Sequence, residues 1–258
     1  MSRAADNPRS EEGDIVRLNS VRQTYNTRKG SFEALSGVTI GCRKHALTAV
    51  IGPSRSGKST LLRCASGLER PASGSVLLDG EELTDLDDAS LTRLRRDRLG
   101  FVFQGSNLLP ALNVAENIAL PGYLAGRSVD TVLLDRVIAQ IGLTDHLHDL
   151  PHRLSFAEQQ RAAVARALVG RAPVIFADEP TCAQDNSGVD QVLGLLREAA
   201  RAGQTVVVAT HDSRIAAYAD HVFFMAGGRV VDELALPPTK AAAERMAHLA
   251  MWDRGEPT

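Results

Sequence analysis

Residues 52–59 read GPSRSGKS and fit the pattern G-x-x-x-x-G-K-S, whose residue types and spacing suit the binding of phosphate groups. An apolar run, LTAVI, precedes this phosphate loop, and a segment of helical character, KSTLLRCASG, follows it. In such a unit, backbone N–H groups and the positive end of the helix dipole point at phosphate oxygens. Lys58 would supply a mobile charge to the outer phosphates, and the Ser59 hydroxyl can ligate Mg²⁺.

Two adjacent acids, Asp178 and Glu179, stand at the carboxyl end of a second apolar run, PVIFAD. Ligands of open α/β sheets bind at the carboxyl ends of the strands, so we expect this pair near the phosphate loop. Asp178 would support Mg²⁺, and Glu179 would polarise an attacking water molecule as a general base.

The elements that position these groups alternate between strands and helices. Apolar runs at residues 47–51, 173–178 and 205–210 suit strands that are buried on both faces of a parallel sheet. Strand patterns from residue 14 and around residues 37–42, and a hairpin turn at Gly227 and Gly228, add an antiparallel portion. We therefore predict an α/β fold with a mainly parallel, doubly wound sheet.

The chain is predicted to form one nucleotide-binding domain over residues 14–236. Residues 1–13 are expected to be disordered, and residues 237–258 to form a helical tail. Residues 107–168 read as a helical insertion between two strands. Its apolar positions Val132, Leu133, Val137, Ile141 and Leu143 are spaced like one helix face.

Composition narrows the possible functions. The 258 residues are 44% hydrophobic and 23% charged, which excludes a disordered, collagenous or coiled-coil chain. The 29 basic and 31 acidic residues nearly cancel, which argues against nucleic acid as a partner. Three cysteines without a CxxC pair indicate a reduced, cytosolic protein. No apolar run approaches the ~20 residues that span a bilayer, so a membrane role would require a partner.

Four further segments complete a familiar order of motifs: FVFQ at 101–104, LSFAEQQRAAVARAL at 154–168, ADEPT at 177–181 and THD at 210–212. With the phosphate loop, they resemble the ATP-binding subunits of ABC transporters over residues 14–233. The segment LRRDRLGFVFQGSNLLPALNVAENIALP is most similar to the group that serves lipoprotein release, macrolide efflux and cell division. The resemblance implies the ABC ATPase fold, ATP and Mg²⁺ as cofactors, and a head-to-tail homodimer or heterodimer. It also implies a transmembrane permease that holds the chain on the cytoplasmic face of the membrane.

The resemblance assigns a role to each matching residue. Tyr25 would stack on adenine, Gln104 would sense Mg²⁺ and water, and His211 would hydrogen-bond the γ-phosphate. The expected catalytic residues are thus Glu179, His211 and Gln104, and the expected metal-binding residues are Ser59, Gln104 and Asp178. The expected nucleotide-binding residues are Tyr25, Gly52, Pro53, Ser54, Arg55, Ser56, Gly57, Lys58, Ser59, Thr60, Ser155 and Asp185.

Three places depart from the family pattern. Arg55 stands at a glycine position, where a positive φ would strain it by roughly 1 to 2 kcal/mol. In the signature segment (residues 154–157), Phe156 and Ala157 replace two glycines that approach the γ-phosphate held by the other subunit. A lost contact of this type costs about 3 kcal/mol. Residues 182–184 read CAQ where relatives carry glycine, asparagine and leucine.

These departures leave two interpretations open. The chain is either a working transport ATPase, or a nucleotide-binding module that turns over poorly as a regulator or as the weak half of a heterodimer. The intact Lys58, Glu179 and His211 favour the working ATPase. DNA-repair and chromosome-organising ATPases share similar motifs, but they need long coiled-coil heptads between phosphate loop and signature segment, and the sequence has none.

Overall fold

The computed structural model describes residues 13–27, 30–237 and 239–252, so most of the predicted disordered N-terminus lies outside the described residues. The strands are β1 (Asp14–Thr27), β2 (Gly30–Arg43), β3 (Leu47–Ile51), β4 (Ser73–Leu78), β5 (Glu81–Glu82), β6 (Leu99–Val102), β7 (Val174–Asp178), β8 (Thr205–Thr210), β9 (His221–Ala226) and β10 (Arg229–Ala235). The α-helices are α1 (Lys58–Ala65), α2 (Asp88–Arg98), α3 (Val114–Leu124), α4 (Thr131–Gln140), α5 (Phe156–Val169), α6 (Asn186–Arg201) and α7 (Thr239–Trp252).

The central sheet has the strand order β10-β9-β3-β8-β7-β6. Its strands pair in parallel except at the β9–β10 hairpin, which turns at Gly227 and Gly228 as predicted. Every residue of β3 is buried, because β8 and β9 flank it and both of its faces are covered. Ala49 and Ile51 enter the apolar cluster on the side of α3 to α6, while Val50 enters the cluster on the opposite side. The predicted α/β class is confirmed.

A second, antiparallel sheet has the order β2-β1-β4-β5. It covers the face of the central sheet that is opposite to α3–α6. Its inner side chains, among them Leu18, Leu35 and Val76, pack with α1 and α2 into the second cluster. Strands β1 and β2 extend well beyond the segments that the sequence pattern indicated, and β4 was not anticipated. Its residues alternate only weakly between polar and apolar, SGSVLL, so pairing with β1 decides that they form a strand.

The predicted helical insertion contains α3, α4 and α5, and α3 and α5 each begin with a capping box. The expected apolar face of α4 is wrong at Val132, which is 78% exposed. Val137 and Ile138 carry the buried face instead. Ile141 and Leu143 are fully buried but follow the end of the helix, because the chain turns at Gly142 with φ +66° and returns both side chains to the core.

The predicted C-terminal helix corresponds to α7. Its Ala242 is fully buried, and Arg245 forms an ion pair with Asp232 of β10. None of the helices in the described ranges combines the length and hydrophobicity needed to cross a membrane.

Candidate functional site

Three parallel strands end at one edge of the central sheet and bring the predicted motifs together. The phosphate loop leaves β3, Glu179 follows β7, and His211 follows β8. Backbone hydrogen bonds join these strand ends, since the N–H of Glu179 donates to the carbonyl of Ala209 over 2.8 Å. Residues that are distant in sequence therefore meet at this edge.

Glycine is required at two points of the phosphate loop. A Cβ on Gly57, which has φ +102°, would lie 2.4 Å from the carbonyl oxygen of Ala34. A Cβ on Gly52 would lie 2.2 Å from the carbonyl oxygen of Met225. Arg55 adopts φ +67° in the same loop, so the strain expected at this non-glycine residue is present in the fold.

The Lys58 side chain is held inside the loop that precedes it. Its Nζ donates hydrogen bonds to the carbonyl oxygens of Gly52 at 2.9 Å and Pro53 at 2.8 Å. Burial lowers the pKa of Lys58, and the nearby Glu179 and Asp178 carboxylates oppose this shift. The ammonium group is therefore held among backbone oxygens of the phosphate loop.

A cavity of about 390 Å³ opens beside the loop. It is lined by Phe32, Ala34, Arg55, Gly57, Lys58, Ser59 and Thr60. The sequence interpretation missed Phe32, which lies opposite Tyr25 across the β1–β2 ladder and is 52% exposed. The Tyr25 hydroxyl donates to the Glu69 carboxylate over 2.7 Å, which fixes the direction of its ring. Only the register of two strands brings the two aromatic residues together, so no local motif could have revealed Phe32.

Asp178 and Ser59 form a polar pair suited to a hard cation. Burial raises the pKa of the Asp178 carboxyl, and the Ser59 side chain is close enough to oppose this shift. The Oδ1 atom of Asp178 is buried without a hydrogen-bond partner. An unpartnered carboxylate oxygen beside a hydroxyl fits the oxygen ligands of Mg²⁺. Gln104, the third expected metal residue, is exposed, and its backbone carbonyl faces the Cys182 thiol at 3.6 Å.

Glu179 and His211 are in direct contact. The imidazole Nδ1 of His211 lies 2.9 Å from both carboxylate oxygens, and the backbone N–H of His211 donates to Oε1 over 3.1 Å. The buried Thr210 hydroxyl donates to Oε2 over 2.9 Å. Glu179 itself has φ +48°, a left-handed conformation that directs its side chain toward the end of β8. Sequence reasoning did not include Thr210 in the site, although it lies in the same THD motif as His211.

Ser155 and Asp185 lie outside the cavity and cap helices. The Ser155 hydroxyl donates to the Glu158 carboxylate over 2.7 Å, and the backbone N–H of Ser155 donates to the same oxygen over 2.8 Å. Asp185 accepts a hydrogen bond from the N–H of Gly188 over 2.7 Å, which lowers the pKa of its carboxyl.

Two of the unusual segments contact each other. The side chain of Gln184 donates to the carbonyl of Ala157 over 2.8 Å and accepts from Arg161 over 3.2 Å. Phe156, beside Ala157, is 47% exposed at the start of α5. The loop after Glu179 is therefore tied to the signature segment within one chain.

Comparison with known proteins identifies relatives of this chain. Residues 35–182 match the family described as ABC transporter. The chain is 38% identical to the lipoprotein-releasing system ATP-binding protein LolD of Shewanella frigidimarina, and the alignment covers 88% of this chain and 97% of that protein. It is 37% identical to a probable export ATP-binding/permease protein MacB of Pseudomonas entomophila over 87% of this chain, but spans 34% of that relative's length. Among solved structures, the ATP-binding cassette MJ0796, a dimer bound to ADP and Pi, superimposes with a TM-score of 0.81 at 35% identity, covering 87% of this chain and 100% of that one.

Proposed function

The chain belongs to the ABC transporter family, and from this premise we propose that it binds and hydrolyses ATP in a head-to-tail dimer to drive a separate membrane permease. The observation that carries the proposal is the convergence of Lys58, Asp178, Glu179 and His211 at one edge of the sheet. These residues supply a phosphate-binding cation, a metal-binding carboxylate, a general base and an imidazole that faces it.

Nucleotide binding uses the phosphate loop and its cavity. The loop N–H groups and Lys58 bind the phosphate oxygens, which replace the carbonyls of Gly52 and Pro53 as partners of the ammonium group. Tyr25, whose ring is fixed by Glu69, stacks on the adenine. Ser59 and Asp178 hold Mg²⁺, which when bound neutralises charge on the phosphate oxygens.

Hydrolysis uses the contact between Glu179 and His211. The Glu179 carboxylate accepts a proton from the attacking water, and the Thr210 hydroxyl holds one of its oxygens in place. The His211 side chain is 63% exposed, so its ring can exchange the contact with Glu179 for one with the γ-phosphate once nucleotide is bound. Exclusion of water depends on a second subunit that covers the site.

The permease would dock on the face that Gln104 and the helical insertion share. A cavity of about 300 Å³ lies between β6 and α3, with Phe101, Phe103 and Leu124 on its apolar wall and Arg95 and Arg166 beside them. This lining suits an amphipathic segment that carries acidic residues. Such docking places the chain on the cytoplasmic face of the membrane, in contact with the bilayer only through its partner. LolD is named for lipoprotein release, and a MacB protein of Aeromonas hydrophila, 35% identical to this chain, is named for macrolide export. On this basis we propose a lipid-like or drug-like cargo.

A second candidate function is a regulatory module that binds ATP but turns it over slowly, either alone or as one half of a heterodimer. The observation that favours it is the signature segment, where Ser155 is engaged by Glu158 and Phe156 projects from the start of α5. Both features obstruct the contact that a second subunit's γ-phosphate would need.

The experiment that distinguishes the transport ATPase from the regulatory module measures steady-state ATPase activity. It compares the wild type with Glu179→Gln, each with and without the permease. Loss of the general base is expected to lower the rate by about 10²- to 10⁴-fold while ATP binding persists. Glu198→Gln, an exposed change on α6, is the matched control and should leave the rate unaltered. If neither the wild type nor Glu179→Gln hydrolyses ATP in the presence of the permease, while both still bind ATP, the regulatory function would be established instead.

A further inference from the structure

Arg55 occupies the phosphate loop at a conformational cost. Its φ of +67° lies in the left-handed region, and glycine would adopt it without strain. The residue is exposed, and within the described part of the chain its guanidinium forms no hydrogen bond or ion pair that offsets this cost. Strained residues that persist in a loop commonly mark a functional position.

Arg55 borders the cavity in which a charged ligand would be recognised. It lines the same cavity of about 390 Å³ as Lys58, Ser59 and Thr60. Lys58 is already close enough to Glu179 and Asp178 for both carboxylates to affect its pKa, so part of its charge is compensated. No acid among the described residues forms an ion pair with Arg55, so its charge is available to an anion in the cavity.

The signature segment is poorly arranged to recognise the outer phosphate. The hydroxyl and N–H of Ser155 both donate to Glu158, and Phe156 and Ala157 carry side chains where close backbone approach is needed. A second subunit of the same sequence would present this carboxylate and an aromatic ring to the nucleotide. The charge required at the terminal phosphate must then come from elsewhere in the site.

We propose that Arg55 contacts the terminal phosphate of the nucleotide bound in its own subunit and thereby favours a nucleoside triphosphate over a diphosphate. A guanidinium group donates two parallel hydrogen bonds to phosphate oxygens, which suits this task better than a backbone amide alone. The proposal rests on the proposed function, because it requires a nucleotide in the cavity. It makes Arg55 a specificity-determining residue that compensates within one chain for the altered signature segment.

The test compares Arg55→Gly, Arg55→Gln and Arg55→Lys with the wild type. Dissociation constants for Mg-ATP and Mg-ADP are measured by calorimetry, and melting temperatures are measured without nucleotide. Arg55→Gly relieves the backbone strain, so its melting temperature should rise by about 2 to 4 °C. Its preference for ATP over ADP should fall about tenfold, the loss expected for a charged hydrogen bond. Arg55→Gln should lose the same preference without the rise in melting temperature, and Arg55→Lys should keep most of the preference.

Arg43→Gln is the matched control, since it removes one exposed arginine charge from β2 outside the cavity. Its ATP preference should equal that of the wild type. The proposal is wrong if Arg55→Gly and Arg55→Gln keep an ATP preference within twofold of the wild type, or if Arg43→Gln lowers it equally. A wild type that binds neither nucleotide would refute the proposed function itself. Should Arg55→Gly fail to fold, the comparison of Arg55→Gln with Arg55→Lys decides the question.

Discussion

Replacement of Asn117 by leucine should destabilise the loop that leads from Gln104 into the helical insertion. Asn117 is fully buried in α3. Its Nδ2 donates to the carbonyls of Leu109, Leu112 and Asn113 at 3.0, 2.9 and 3.0 Å, and its Oδ1 accepts from the N–H of Leu109 at 2.7 Å. The two N–H groups of this amide are shared among three carbonyls, and with the bond that Oδ1 accepts they tie Leu109 and Leu112 of the loop to the helix.

The magnitude follows from the groups left without partners. Leucine has the branched shape of asparagine but a larger volume, so overpacking at this fully buried position adds to the cost. The Asn113 carbonyl keeps its helical partner, the N–H of Asn117 at 2.9 Å, and the Leu109 carbonyl keeps the N–H of Leu112 at 3.2 Å. The N–H of Leu109 and the carbonyl of Leu112 lose the Asn117 side chain as their partner. Each buried orphan costs about 1–3 kcal/mol, but Leu109 is 45% exposed and water can reach part of this backbone. We expect Asn117→Leu to lower the free energy of unfolding by about 2–4 kcal/mol.

Chemical denaturation followed by circular dichroism measures this loss, and calorimetry with Mg-ATP provides the second readout. ATP affinity should change little, because none of the residues held by Asn117 lines the cavity. Asn113→Asp preserves the side-chain cap of α3 and is the control, with an expected change within about 0.5 kcal/mol. A stability of Asn117→Leu within about 0.5 kcal/mol of the wild type would refute the reasoning.

Three further predictions concern the site and its surroundings. Asp178→Asn should raise the melting temperature measured without metal, because it removes a partly buried carboxylate whose pKa is raised by burial. The same change should abolish the Mg²⁺ dependence of ATP binding. Gly57→Ala should eliminate ATP binding in calorimetry and destabilise the fold by about 2 kcal/mol or more, since its Cβ would lie 2.4 Å from the Ala34 carbonyl. The hydrogen bond between His146 and Asp149 raises the pKa of His146 above 6.5 and lowers that of Asp149 below 3.8. Its stabilisation is therefore lost as pH rises through the raised pKa or falls through the lowered one. The melting temperatures of wild type and His146→Gln should differ most between pH 3.8 and 6.5, and a constant difference up to about pH 9 would contradict this.

Much of the fold could be predicted because the relevant signals are local. The strands β3, β7 and β8 are short apolar runs, of which β7 and β8 end in polar residues and β3 runs into the glycine that opens the phosphate loop. That loop, between β3 and α1, is recognisable from its spacing. Strand β4 carried no comparable signal, and the exposure of Val132 depends on how α4 rotates against α5. Such features depend on partners that the local sequence does not specify.

The candidate site also combines residues that the sequence identifies with contacts that only the tertiary structure determines. The identities of Lys58, Asp178, Glu179 and His211 are determined by the sequence, because each belongs to a short motif with a definite chemical requirement. The tertiary structure alone decided that Phe32 shares the cavity with Thr60, that Thr210 holds Glu179, and that Glu158 engages Ser155. Motifs specify which groups are available, whereas strand register, left-handed backbone angles and helix caps determine where they point and which of them remain free for a ligand.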